Sequence, residues 1–535
     1  MDNNWPGKFR EHLPYVSALL LISLVPRLFY ATNYLFDGDP VNYFLGAVNL
    51  LSGQGFTAMG FPVIWPLGYS LTIIPFLLIL NSPAAGVASS IIASTSAVIA
   101  LYVLGSRIYS KPVGFFAAVM LAFSESYFFS SVNIASDSHA LLFLLLAMIK
   151  LQKIDFDSPA VRYFLPGLFI GLSTLMRYPS GIFFFLPLSL LTVNYLKGER
   201  EFNPETVKRD LRWIGIYLSG ILVALSVQMY LNIKEWNSLL SPYFYMANES
   251  ILFTPVAFYF QNLFRFIYRI GFTTDFYAPI GVILLLFGLL NQKGHKPSLR
   301  MLLIFTSLGA VPLLAFSVRP RFMISIMPAL FLVLASGMQF LYVRMEFSLF
   351  DKWKNLQTKK IAVSLIVTLF FLPHVIFSFR TAEFNKLESK GAVSAFTWVN
   401  ENTPSSSVLL TQSPYFGHFN VWEFTGQDIW AAKYYSEREM FPVFTDIDSI
   451  LIEHADVYAV INEYWQSTEN LRMMYSVENR EAVHRLLKNY DVKKIASFES
   501  NNNRFLWKIT AVSFHPDNYF NHQHRFTVYR VLGKK

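Results

Sequence analysis

Asp37 and Asp39 stand one residue apart at the head of a stretch, Phe36 to Leu71, that contains no Lys or Arg. A carboxylate there can take a proton from an attacking hydroxyl, a contribution of roughly 10²- to 10⁴-fold where geometry allows. Further along the chain Asp137 opens one apolar run, Arg177 follows another, and Arg319 with Arg321 separate two more. Arginine's planar fork matches a phosphate and resists losing its charge. Acidic groups from two turns and arginines from two others, at one level, suit a site that activates a hydroxyl and holds an anion. Each also has an ordinary use. Asp37 and Asp39 can shape an Asx turn and cap the next helix, and charges at span ends can be interfacial anchors.

Other polar residues are lesser candidates. Glu125 falls within an apolar run, where a helix-packing hydrogen bond accounts for it as well as chemistry does. His139, one turn into a run and close to Asp137, could touch substrate or metal, although a lone histidine is by type a packing residue. His374, His418, His522 and His524 lack the spacing of a zinc site. Asn248-Glu249-Ser250 matches the short N-glycosylation pattern. The tyrosine-rich stretches Pro242 to Met246 and Tyr259 to Tyr268 could line a sugar or lipid groove, or form an interfacial aromatic belt. The absence of cysteine removes disulfides, thiolate metal sites and a cysteine nucleophile.

What positions these residues must be membrane helices. The 535-residue chain is 53% hydrophobic and 15% charged, with 52 Phe and 28 Tyr and a mean hydropathy of +0.38, which is too apolar for a soluble protein. Its net charge of +9 falls in short clusters between apolar runs, the mark of cytoplasmic loops and not of a nucleic-acid surface. Runs of spanning character predict about eleven helices, since a crossing needs roughly 20 apolar residues. They lie near Leu13 to Tyr30, Ala84 to Leu104, Val113 to Val132, Ser138 to Met148, Phe164 to Met176, Pro179 to Leu196, Ile214 to Leu231, Phe276 to Leu290, Leu302 to Phe316, Met323 to Leu341 and Ile361 to Phe377. The first ends without a small-residue cleavage site, so it reads as a retained span. Pro66 to Leu80 is apolar but short and broken by Gly68 and Pro75, and reads as an interfacial or dipping helix.

With the N-terminus inside and Pro66 to Leu80 not spanning, every inner loop is basic, from Lys8 and Arg10 to Lys359 and Lys360. The outer loops then hold only Arg177, Lys234, Arg265, Arg269, Arg319 and Arg321, with Arg27 near the outer end of the first span. The expected organisation is a mainly α, polytopic helical bundle over 1–378, with a first outer loop at 33–83 and a soluble α/β domain outside the membrane over 379–535. In the latter, Lys390 to Asn400, Ile447 to His454 and Glu478 to Lys488 read as helices. Ser407 to Thr411, Val457 to Ile461, Val492 to Phe498, Phe505 to Thr510 and His524 to Val531 read as strands.

Taken together, the chain resembles the integral-membrane glycosyltransferases of the GT-C fold, the group that includes protein O-mannosyltransferases and aminoarabinose transferases. The likeness is carried by Gly38-Asp39 with Tyr43, Ala47, Leu50, Leu51 and Gly53, and by Pro66-Leu67-Gly68-Tyr69. Asp137, Gly171-Leu172, Leu175-Met176-Arg177 with Gly181, and Arg321-Phe322 before Pro328 continue it. It covers about Leu13 to Phe377. Two departures stand out: Asp37 and Asp39 flank Gly38 where relatives often have adjacent Asp-Glu, and Trp65 stands where some have a basic residue.

The resemblance implies a donor sugar on a polyprenyl phosphate, transferred outside the cell membrane with inversion to a hydroxyl of a lipid, glycan or protein. On it Asp39 is the general base, with Asp37 beside it and Asp137 as a second acid. Arg177 and Arg321, with Arg319 behind, hold the departing phosphate, and Tyr43, Tyr69 and His139 are substrate-side candidates. A divalent metal between Asp39 and Asp137 stays open. An oligosaccharyltransferase would share the topology, but the external domain has no Trp-Trp-Asp-Tyr-Gly motif, and Glu463-Tyr464-Trp465 is a poor substitute. A transporter would place such charges near the midplane in repeated halves, a pattern not visible here. A non-catalytic subunit of envelope assembly is the remaining alternative.

Overall fold

The computed structural model describes residues 5–32, 35, 38–152, 158–240, 256–277, 280–291, 296–315, 320–348, 356–411, 434–442, 446–462, 474–500 and 524–535. The chain forms two compact units. The first comprises Met1–Ala31, Gly46–Phe56 and Pro62–Phe379; the second comprises Thr32–Leu45, Thr57–Phe61 and Arg380–Lys535. Parts of the expected first outer loop, 33–83, thus group with the C-terminal residues.

The helices run in order as α1 (Trp5–Tyr30), α2 (Gly38–Leu51), α3 (Gly68–Leu80), α4 (Ala84–Ile108), α5 (Lys111–Ala122), α6 (Glu125–Ser131), α7 (Asp137–Leu151) and α8 (Phe164–Met176). They continue as α9 (Leu186–Leu196), α10 (Pro204–Trp236), α11 (Val256–Phe272), α12 (Ile280–Leu290), α13 (Lys296–Ala315), α14 (Met327–Ser348) and α15 (Leu356–Asn402). Two short strands, β1 (Thr57–Ala58) and β2 (Phe61–Pro62), pair between α2 and α3. All eleven expected runs fall on helices, but several are shorter than a crossing. Among the described residues four are long and apolar enough to span: Arg10–Tyr30, Ala84–Ile108, Tyr178–Leu196 and Pro204–Trp236. The number is six if each of two bent pairs, α5 with α6 at 67° and Phe258–Phe272 with Thr274–Leu290 at 60°, makes one span. The protein is therefore a mainly α, multi-pass membrane protein, with four to six spans by this measure. The 13-residue α3 rises only about 20 Å, short of a hydrocarbon core of roughly 30 Å.

Lipid supplies no hydrophobic drive between helices, so close backbone approach has to bring them together. α8 and α10 show how. A Cβ added at Gly167 or Gly171 of α8 would run into the backbone of Tyr217 or Ile221, and one at Gly220 of α10 into that of Phe164. Small residues four apart on each helix let the two lie flush, and this fixes the axis on which Arg177 is carried. α4, rich in Ala and Ser, is the most enclosed span at 72% buried, whereas the apolar window of α1 is 22% buried and turns Leu21, Leu28 and Phe29 outward.

In the second unit five strands form one sheet: β3 (Val408–Thr411), β4 (Glu439–Pro442), β5 (Val457–Asn462), β6 (Tyr490–Ser500) and β7 (His524–Lys534), in the order β4-β3-β5-β7-β6. β3 lies parallel to β4 and β5, and β7 is antiparallel to β5 and β6. Strand alternation sorts the core. Val408, Leu410, Val457, Ala459 and Ile461 pack with α16 (Ile447–Glu453) and α17 (Met474–Asn489), while Leu409, Tyr458 and Val460 pack with Ala392, Ala395, Phe396 and Val399 of α15. The expected helix at Lys390 to Asn400 is thus the end of α15, which continues the last apolar run without a break. β4 was not foreseen, because four residues ending in proline carry little strand signal. The strand expected at Phe505 to Thr510 lies outside the described residues.

Candidate functional site

Asp137 is the first residue of α7, and its carboxylate is completely buried. Two chains of hydrogen bonds hold the backbone on either side of it. Before it, Tyr69 Oη donates to the Gly86 carbonyl at 2.9 Å and pairs with Ser90 Oγ at 2.7 Å, and Ser90 Oγ donates to the Ala135 carbonyl at 3.2 Å. After it, His139 Nε2 pairs with Ser89 Oγ at 3.0 Å, beside Thr72. The Tyr69 and His139 rings meet edge to face at 5.1 Å. Both side chains are buried, and these bonds hold the start of α7.

Arg177 follows α8, where the backbone turns extended (φ −156°, ψ 114°) ahead of Pro179. Arg177 caps the 3₁₀ helix Tyr178–Phe185, and Pro179 sits in its first turn, where a missing N–H costs nothing. Ser173 Oγ donates to the Ala140 carbonyl at 2.8 Å and binds α8 to α7. Arg177 Nη1 is thereby brought onto Asp137 Oδ1. Arg321, in the 3₁₀ turn Pro320–Ser325, donates from Nε to Asp137 Oδ2 at 2.8 Å. The guanidinium of Arg177 stacks over the Phe322 ring at 4.9 Å.

Two guanidinium groups meet one carboxylate in this cluster. The arginine side chains retain 15% and 33% exposure against none for Asp137, so the positive side faces outward and the carboxylate anchors it from behind. Asp137 and Arg177 line a pocket of about 630 Å³, counting its open part, with walls that include Leu141, Leu144, Phe183, Leu313, Phe322 and Ile324. An apolar cleft with a cationic end suits an amphiphile with an anionic head. The same donor set is wrong for a divalent cation. Both Asp137 oxygens face guanidinium groups, and among the described residues no three His, Asp or Glu side chains gather.

The structure thus brings together Asp137, Arg177 and Arg321, with Tyr69 and His139 behind them. Asp39 lies half-buried in the first turn of α2, one turn before the buried Tyr43, and both belong to the second unit. Asp37 and Arg319 lie outside the described residues. Glu125 makes the packing hydrogen bond its position suggested, accepting from Thr274 Oγ1. Ser89 and Asp275 were not singled out from sequence, and Phe322 entered only as part of the Arg321-Phe322 motif. Only Asp275, a lone acid at the edge of an apolar run, carried a usable signal.

Residues 66–231 match the family model described as dolichyl-phosphate-mannose-protein mannosyltransferase. No curated protein matches the chain by sequence. Among solved structures, the oligosaccharyltransferase of Archaeoglobus fulgidus tethered to an acceptor peptide superposes with a TM-score of 0.56 at 12% identity, over 92% of this chain and 73% of that one. Its apo form gives 0.55 at 13% identity, over 97% and 82%. ArnT from Cupriavidus metallidurans bound to undecaprenyl phosphate gives 0.48 at 10% identity, over 97% of both chains. The chain has the GT-C fold and is a membrane-associated protein.

Proposed function

We propose that the chain transfers a sugar from a polyprenyl-phosphate donor to a hydroxyl acceptor on the extracytoplasmic side of the membrane, with inversion. The observation that carries this is the cationic Asp137–Arg177–Arg321 cluster at an apolar pocket, which suits a phosphate joined to a hydrocarbon chain. The match of 66–231 to a mannosyltransferase that uses a dolichyl phosphate supports the same donor class.

In the proposed reaction the acceptor oxygen attacks the anomeric carbon and gives its proton to Asp39. The bond from that carbon to the phosphate oxygen breaks, and its electron pair stays on the phosphate. Arg177 and Arg321 meet the charge that develops there, where preorganised donors lower the barrier most. Asp137 fixes both arginines and takes no proton. Eleven spans, with the N-terminus in the cytoplasm and the C-terminal domain outside, complete the proposal and rest on the basic inner loops.

The test is transfer by the purified protein from polyprenyl-phosphate sugars. Asp39→Asn is expected to lower kcat by roughly 10²- to 10⁴-fold. Wild-type turnover in that variant would remove Asp39 as the base.

A further inference from the structure

A second pair of carboxylates has no part in the transfer chemistry. The helix that starts at Lys111 breaks after Ala122 and resumes at Glu125. Such a break frees backbone groups that lipid cannot satisfy. The carbonyls of Met120, Ala122 and Phe123 accept from Tyr277 Oη at 2.8 Å, Arg27 Nη2 at 3.1 Å and Ser378 Oγ at 2.7 Å. On the other side of the break, Asp275 accepts the Ser126 amide at 2.7 Å and the hydroxyls of Ser126 and Ser124 at 2.9 and 3.2 Å. Glu125 in turn accepts from Thr274, and Thr274–Phe276 is the bend of the second broken pair.

Asp275 therefore caps the resumed helix, and Glu125 ties back to the other bend through a side-chain hydroxyl. Capping alone needs one oxygen, which Ser or Asn supplies, and carboxylates inside a membrane bundle are costly. Two of them, crossed, suit a part that must not shift. α6 packs both against α7, which begins at Asp137, and against the turn Pro320–Ser325, which carries Arg321. Ser124 Oγ also lies 3.3 Å from the sulfur of Met327, just past that turn. We propose that Glu125 and Asp275 form a reciprocal clasp between the two broken helices and, through α6, are positioning residues for the Asp137–Arg321 pair. The kinetic part of this inference rests on the function proposed above; the geometric part does not.

Asp275→Ala, Asp275→Asn and Ser126→Ala are compared with wild type by hydrogen–deuterium exchange and transfer kinetics, using only variants that keep the wild-type gel-filtration profile. If Asp275→Ala does not fold, the other two carry the test. Exchange is expected to quicken about tenfold not only at 123–131 and 274–277 but also at 137–141 and 320–326. Asp275→Asn, which keeps one acceptor oxygen, should fall between. kcat should drop about tenfold, well beyond any change in KM for the donor. Faster exchange confined to the two breaks, with unchanged kcat, makes Glu125 and Asp275 ordinary caps and overturns the proposal. Should the wild type transfer no sugar, the functional reading fails, and exchange at 137–141 and 320–326 still decides the clasp.

Discussion

The first unit buries two aspartates against arginine, one at each end of α8, and only one of them makes a site. Near the start of α8, Asp210 accepts from Arg200 through both oxygens, from Tyr195 Oη at 2.5 Å and from Trp213 Nε1 at 3.1 Å. Trp213 stacks on Tyr163 at 4.6 Å. One cation balances one anion, and neutral donors fill the remaining acceptor positions. Past the end of α8, Asp137 meets two arginines. The difference is a second arginine on the carboxylate, beside an apolar pocket. A buried ion pair is by itself weak evidence for either stability or function; the second arginine and the pocket distinguish the two.

Identical substitutions at both places test this contrast most directly. Asp137→Asn keeps the shape but removes the charge that both guanidinium groups meet. Transfer is expected to fall by about 10²- to 10³-fold, the loss typical when a preorganised charge-stabilising group is removed. Near-wild-type turnover with a lowered thermal midpoint would reduce the cluster to a structural contact.

Asp210→Asn should do the reverse. It leaves Arg200, with a side chain 8% exposed, without its counter-ion, and breaking a buried pair from one side costs about 3–5 kcal/mol. Tyr195 and Trp213 soften that loss, so the lower end is expected, read as a drop in thermal midpoint. kcat should stay within about twofold of wild type. A kcat defect as large as that of Asp137→Asn would show that ion pairing anywhere in the unit suffices, and would break the comparison.

The sequence made part of this legible. Asp137, Arg177 and Arg321 stand at ends of apolar runs, and antiparallel helices return their ends to the same level, so meeting there followed from connectivity. That Asp137 would sit between the arginines was not legible. Side-chain pairing across 184 residues, from Asp137 to Arg321, depends on the rotation of three helices, which apolar composition leaves free. The clasp of Glu125 and Asp275 was hidden for the same reason. Helix existence was easy to read and helix ends were not: α15 runs on past Phe377 because no residue after Pro373 forces a stop, while α5 ends early at Ala122 because tertiary partners take its carbonyls.

The second unit supplies a third carboxylate–cation pair, an exposed one, that calibrates the other two. Asp448 accepts from Lys534 Nζ at 2.6 Å and from Tyr490 Oη at 2.7 Å. These hydrogen bonds, Lys534 first, hold its carboxyl below the usual range, and its proximity raises the lysine. Burial, with Asp448 adding to it, pushes Tyr490 up to about 12. Because the folded carboxyl pKa is depressed, its contribution to stability is present above the unfolded value of roughly 3.9 and is lost as pH falls through the folded value. The raised lysine contributes below about 10.4, and its share is lost as pH rises through its folded value. Asp448→Asn should flatten the acid limb of the thermal midpoint measured from pH 5 down to pH 3. The shift should be the smallest of those described, because exposed pairs are screened by solvent and salt. An acid limb that does not change would show that other carboxylates set it. A shift as large as that of Asp210→Asn would mean that burial is not what separates a structural ion pair from a surface one.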